Sequence, residues 1–116
     1  MVEIKISSRE LSKVEAYMMT ASNQGTSMKD VPDNAEILVK IWALVERRNE
    51  DTGETLELLS IFDGKAVYVA QSKTFMKSFE EIANIMGEDN YKIRKISGTT
   101  RSGRGYIDCQ LVYENM

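Results

Sequence analysis

Tyr91-Lys-Ile-Arg-Lys-Ile-Ser-Gly-Thr-Thr-Arg-Ser-Gly-Arg-Gly-Tyr-Ile-Asp-Cys-Gln-Leu-Val-Tyr113 reads as two β-strands joined by a basic, glycine-containing turn. Lys92, Arg94, Lys95, Arg101 and Arg104 fall within it, and no carboxylate lies between Asn90 and Ile107. The 116-residue chain is acidic as a whole, with a formal charge of −3. A cationic hairpin on an acidic chain points to contact with a polyanion. Tyr91 and Tyr106 at its ends suggest single-stranded nucleic acid, whose bases stack on rings while cations meet phosphates.

Upstream of the hairpin the hydrophobic period is helical. In Ser72-Lys-Thr-Phe-Met-Lys-Ser-Phe-Glu-Glu-Ile-Ala-Asn-Ile-Met-Gly87, Phe75, Phe79, Ile82, Ala83 and Met86 share one face, Ser72 or Thr74 caps the start and Gly87 follows the end. Before that the period is two. Ala35 to Arg47 predicts the longest strand, with Ile37, Val39, Ile41, Ala43 and Val45 on one face and Leu38, Lys40, Trp42, Leu44 and Glu46 on the other. Leu56 to Phe62 predicts another strand, and Asp63-Gly64 turns the chain into Ala66-Val-Tyr-Val-Ala70. Lys13 to Thr20 alternates as a first strand, followed by a long polar loop over residues 21–34.

The expected order is strand, strand, strand, helix, strand, strand. It matches a mainly β fold: a five-stranded antiparallel barrel of the oligonucleotide-binding (OB) type, with its one helix between the third and fourth long strands. The length suits one domain, residues 1–116. Residues 1–10, with a short strand at Val2 to Ile6, read either as an arm adding a strand to a neighbour or as a cover for the barrel's own open edge.

Composition narrows the chemistry. There is no histidine for acid–base work or metal ligation, and the acids show no spaced pattern of a metal-dependent nuclease. Gly98 and Gly103 have the spacing of a phosphate loop but lack the Lys-Ser/Thr that should follow. The expectation is therefore a non-enzyme with no cofactor and no metal. Cys109, the single cysteine, reads as a small buried hydrophobe in a reducing compartment. Charges inside the N-terminal apolar run argue against a signal peptide, and no run is long enough to span a membrane.

Ile61-Phe-Asp-Gly-Lys-Ala-Val-Tyr-Val-Ala-Gln-Ser-Lys-Thr74 resembles a segment of the single-stranded-DNA-binding proteins of small protein-primed tailed bacteriophages. Gly98-Thr-Thr-Arg-Ser-Gly103 followed by Gln110-Leu111 is similar to that family's closing hairpin, and Ser27-Met-Lys-Asp-Val31 to one of its loops. The likenesses run in the same order from Leu11 to Leu111. The resemblance implies an OB barrel that coats single strands during viral DNA replication in the host cytoplasm, with tyrosines stacking on bases and Tyr68 on the matching position. Leu44-Val-Glu-Arg-Arg-Asn49 departs from the family, which carries further tyrosines there.

The candidate contact residues are then Tyr17, Trp42, Tyr68 and Tyr106 for stacking, and Lys40, Arg47, Arg48, Arg94, Arg101 and Arg104 for phosphates. Trp42 reads equally as a packed indole, and each cation by default as solvated surface. Lys92 and Arg94 share one strand parity and Lys95 takes the other, so these cations cannot all face one ligand. The expected partners are single-stranded DNA and replication proteins. The rival reading is a protein-binding module, such as an inhibitor of a host nuclease, which the acidic charge and the methionines Met18, Met19 and Met28 suit.

Overall fold

The computed structural model describes residues 2–20, 25–87 and 89–113. Its elements are β1 (Val2–Ser7), α1 (Lys13–Thr20), β2 (Thr26–Ser27), a 3₁₀ turn (Met28–Asp30), β3 (Glu36–Val39), β4 (Ile41–Arg48), β5 (Thr55–Phe62), β6 (Val67–Ala70), α2 (Lys73–Met86), β7 (Tyr91–Thr99) and β8 (Gly105–Leu111). The chain is mainly β. Among the described residues the strands form a five-stranded sheet in the order β1-β4-β5-β6-β2 and a three-stranded sheet in the order β3-β7-β8. No described helix is long and apolar enough to cross a membrane.

The long strand expected over Ala35 to Arg47 is instead two strands in two sheets. β3 pairs antiparallel with β7, from Glu36 opposite Arg94 to Val39 opposite Tyr91. β4 pairs antiparallel with β5, from Ile41 opposite Phe62 to Arg48 opposite Thr55. Between them Lys40 leaves the ladder, although its N–H still donates to Phe62 O at 3.0 Å. All five residues of the expected apolar face are buried, but they serve two cores. Ile37 and Val39 join the main core with Leu59, Ile61, Phe75, Phe79 and Ile93, whereas Ile41, Ala43 and Val45 join a second core with Met19, Leu58 and Val67. Past Lys40 the even side chains Trp42 and Leu44 take over on the main-core side. An alternation of period two cannot reveal such a switch, because both faces of β4 are apolar.

The second core exists because residues 13–20 are helical, which corrects the expected first strand. Ser12 and Glu15 form a reciprocal capping box: Glu15 N–H donates to Ser12 Oγ at 3.1 Å, and Ser12 N–H donates to Glu15 Oε1 at 2.9 Å. The Arg9 guanidinium is paired with the same carboxylate. That hydrogen bond, followed by the one from the Ser12 N–H, holds Glu15 down to about 2. The Ser-x-x-Glu signature over Ser12 to Glu15 was the available sign of a helix start. α1 lies against β1, β4 and β5, with Met19 buried and Met19 O accepting from Ser60 Oγ at 2.7 Å.

β1 pairs with β4 of its own sheet, with a bulge between Ile4 and Ile6, so the N-terminal segment extends the chain's own sheet. The long loop expected before the core contains β2, parallel to β6, and the 3₁₀ turn with Met28 fully buried; residues 21–24 lie outside the described set. The Asp63–Gly64 turn forms as expected. Asp63 Oδ1 accepts from Lys65 N and Ala66 N, both at 2.8 Å, and Gly64 adopts φ 104°, a conformation open to glycine.

α2 fills the main core as its period requires. Ser72 Oγ accepts from Phe75 N at 3.3 Å, Phe75, Met76, Phe79 and Ala83 are buried, and Gly87 ends the helix with its N–H on Ala83 O at 3.0 Å. Beneath it lie Cys109, with Sγ 3.7 Å from Phe75 O, and the ring of Tyr91. Burial, then the nearby Asp108 charge, pushes the Cys109 thiol from its ordinary 9.0 up to about 12. Burial likewise pushes the Tyr91 phenol from 10.0 to about 12. Both groups hold their protons in the fold and release them at the ordinary values when unfolded. Their contribution to stability is therefore full below pH 9.0 and is lost as pH rises toward about 12. Urea midpoints taken across that range should decline, and Cys109→Ala should delay the decline. A flat profile would show that neither group is held protonated.

Candidate nucleic-acid interface

The β7–β8 hairpin forms in the expected place, pairing Ile93 with Leu111 through to Thr99 with Gly105. Its turn is closed by Thr100 N–H on Arg104 O at 2.8 Å, Gly103 N–H on Thr100 O at 2.9 Å and Arg104 N–H on Thr100 Oγ1 at 3.1 Å. This network presents Arg101 and Arg104 to solvent.

Beside the hairpin runs an open groove of about 1050 Å³. β7 and β8 contribute Lys95, Ser97 and Tyr106, the turn Thr100 and Arg104, the segment after β2 Lys29 and Asp33, and the start of α2 Ser72 and Thr74. Lys29 and Arg104 are the exposed cations of the lining, while buried Lys95 pairs with its one carboxylate, Asp33. The first turn of α2 carries no acid, so the positive end of the helix dipole adds to the same sign. The Ser72 hydroxyl also donates to Ile107 O at 3.4 Å, tying the start of the helix to β8.

Lys95 builds one wall. It is 4% exposed, on the same strand face as the fully buried Ile93. Its Nζ donates to Val31 O at 2.6 Å and Lys29 O at 3.2 Å and lies 3.6 Å from Asp33 Oδ1. Asp33 Oδ2 also accepts from Ser97 Oγ at 2.6 Å. One ammonium therefore fastens residues 29–33 to β7. The available signal was its parity, odd like Tyr91 and Ile93 on the apolar face.

Tyr106 lies opposite Gly98 in the hairpin register. A Cβ at residue 98 would stand 2.5 Å from the Tyr106 hydroxyl oxygen and 2.6 Å from Cζ, so the ring lies across the glycine. Glycine is required here for close approach, and it leaves Tyr106 40% exposed on a fixed platform.

The other candidates are placed differently. Arg94 is 3.2 Å from Glu36 across β3 and β7. Arg47 donates to Thr20 O at the end of α1, a helix C-terminus that favours a cation. Trp42 is half-buried and meets Phe79 edge-on, with centroids 5.6 Å apart and planes at 78°. Tyr68 packs against the main core and its hydroxyl donates to Asp63 Oδ2 at 3.3 Å. Burial first, then the Asp63 charge, raises its pKa. Arg48 is exposed at the end of β4, and Tyr17 is exposed on α1, not on a strand. Lys40 is exposed at the strand break. The groove thus unites Arg104 and Tyr106, with Arg101 at the adjoining turn, while Lys40 and Trp42 line a separate cleft. Lys29, Ser72, Thr74 and Ser97 belong to the groove without having been singled out. They come from three distant parts of the chain, and only the fold assembles them.

No protein-family model, curated protein or solved structure matches this chain.

Two measurements check this geometry. Lys95→Met should cost about 2–3 kcal/mol in urea unfolding, because it removes charged hydrogen bonds and strands two carbonyls; a neutral result would deny the fastening. Gly98→Ala should abolish the nuclear Overhauser contact between residue 98 and the Tyr106 ring, and persistence of that contact would show that the ring does not depend on the glycine.

Proposed function

We propose that this chain binds single-stranded DNA with little sequence preference, along the groove beside the β7–β8 hairpin. The observation that carries this reading is the union of the exposed cations Lys29 and Arg104, the acid-free start of α2 and the exposed Tyr106 in one groove. Phosphates meet the cations and the helix N-terminus, and a base lies against Tyr106. Arg101 extends the cationic surface at the turn.

The fold supports the same reading. Residues 36–48 pair with β7 in their first half and β5 in their second, β6 continues the sheet, and α2 stands between β6 and β7. This order is consistent with an OB-like arrangement, although the described strands form two separate sheets, with β2 and not β8 beside β6. The likeness to single-stranded-DNA-binding proteins of protein-primed bacteriophages supports a role in coating displaced strands during viral replication. The role is binding alone and needs no cofactor. Protein binding, the second reading, is favoured by the side chains of Val14 and Tyr17 on α1, 69% and 61% exposed.

Salt dependence tests the proposal. If Lys29, Arg101 and Arg104 supply two or three phosphate contacts, log affinity for an oligo-dT should fall with log salt at a slope of about −1.4 to −2.1. Arg101→Ala with Arg104→Ala should flatten the slope by about 1.4 and leave the thermal midpoint nearly unchanged. Tyr106→Ala should weaken binding by about 1–3 kcal/mol at constant slope. A protein inert toward single strands would leave the protein-binding reading.

A further inference from the structure

A further cleft, of about 250 Å³, opens under α2 on the β1 side of the larger sheet. Trp42, Leu44 and Leu59 form its floor, Met76, Phe79 and Ala83 of α2 its roof, and Ile6 its lip. Among the described residues its one charge is Glu80, beside the Asn84 amide. It shares no lining residue with the hairpin groove.

β1 is the end strand of its sheet and, among the described residues, pairs with β4 on one side only. The bulge between Ile4 and Ile6 re-aims its side chains. Ile4 packs on the second core, whereas Ile6 stands opposite Leu44, which packs on the main core. Ile6 is thus turned to the cleft side of the sheet, yet it is 57% exposed. Lysines often guard an edge strand against pairing, but the Lys5 ammonium reaches across the sheet, to Glu46 Oε2 at 3.3 Å and Glu57 Oε1 at 3.2 Å. An unpaired strand edge and an apolar cleft therefore meet along one seam.

We infer that this seam takes an extended, basic segment of a partner protein, which adds a strand to β1 and seats one aliphatic side chain under α2. Main-chain hydrogen bonds satisfy the edge, and the cleft selects the side chain. Charge decides the partner. Glu46 and Glu57 lie one step beyond Leu44 and Leu59 on the same face of the ladder, and Glu3 stands opposite Glu46. With Glu80 on the rim, these acids outnumber Lys5. The nearby guanidiniums are engaged elsewhere, Arg9 with Glu15 and Arg47 with Thr20 O. A second copy would bring the same acids to the contact, and like charges opposite one another repel. A segment with Lys or Arg two residues from its apolar side chain, on the same strand face, complements them. The inference does not depend on the hairpin groove or on its ligand.

Titration with the acetylated and amidated peptide Thr-Lys-Thr-Leu-Thr-Lys-Thr, followed by the emission of Trp42, the single tryptophan, tests the seam. A saturable change is expected. Glycine in place of the leucine should weaken binding at least about tenfold, the worth of one buried side chain. Only one edge of the added strand pairs with β1, so N-methylation of alternate residues should abolish binding in one set and spare it in the other. Glu80→Gln should weaken binding about threefold and flatten its salt dependence. An unresponsive Trp42 or equal binding by the glycine peptide overturns the inference. Equal binding by both N-methylated sets also overturns it, and would leave a cleft for a free apolar molecule. A dimer in sedimentation equilibrium that Ile6→Lys dissolves overturns it as well, because the edge would then belong to a second copy.

Discussion

Residues 36–48 must serve as edge partner to β7 and then as inner partner to β5, and most of the architecture follows from that double duty. A straight strand cannot lie in both sheets. The chain leaves the ladder at Lys40, and the side chains facing the main core change from odd to even. Because Trp42 and Leu44 are apolar as well as Ile41, Ala43 and Val45, β4 has two faces to bury. α2 and the second sheet cover one, α1 the other. β5 and β6 follow suit, with Leu59 and Tyr68 toward the main core and Leu58 and Val67 toward the second.

The hairpin groove is a consequence of how the second sheet meets the rest. β8 packs against α2, which brings the start of that helix toward the turn cations. Lys95 then closes the third side by holding the segment after β2. The field of an acidic chain opposes a polyanion at long range, but salt screens it within about 10 Å. Close cations therefore weigh more in the groove than distant acids, so net charge alone does not exclude a polyanion there.

Where one residue's environment was set by its own element, the sequence was legible. The α2 face, the Asp63–Gly64 turn, the closing hairpin and buried Cys109 all follow from local period and turn chemistry. Residues 13–20 misled, because Val14, Ala16 and Met18 fit a period of two while the deciding signal was the Ser12–Glu15 capping box. The division of 36–48 between sheets was invisible, since alternation is preserved through Lys40. The candidate site was half legible. Arg101, Arg104 and Tyr106 stood out as a local cluster, but Lys29, Ser72 and Thr74 join them only through long-range packing. Arg47 and Arg94 looked available because a sequence does not disclose a helix end or a cross-strand carboxylate.

The attachment of α1 has a further consequence for how the molecule opens. Eight residues are too few for a helix to persist alone in water. α1 survives by its capping box, Met19 in the second core, the Ser60 hydroxyl and the Arg47 guanidinium. None of these touches the main core directly. The two cores share a sheet but little else, so the free energy of releasing α1 is smaller than that of global unfolding. Its amide protons would then exchange through a sub-global opening, while the buried stretch of β5 from Leu58 to Ile61 exchanges only when the whole molecule unfolds. A fold with one sheet between two cores thus has a built-in hierarchy of opening, and the outer face of its largest sheet becomes available before its interior does.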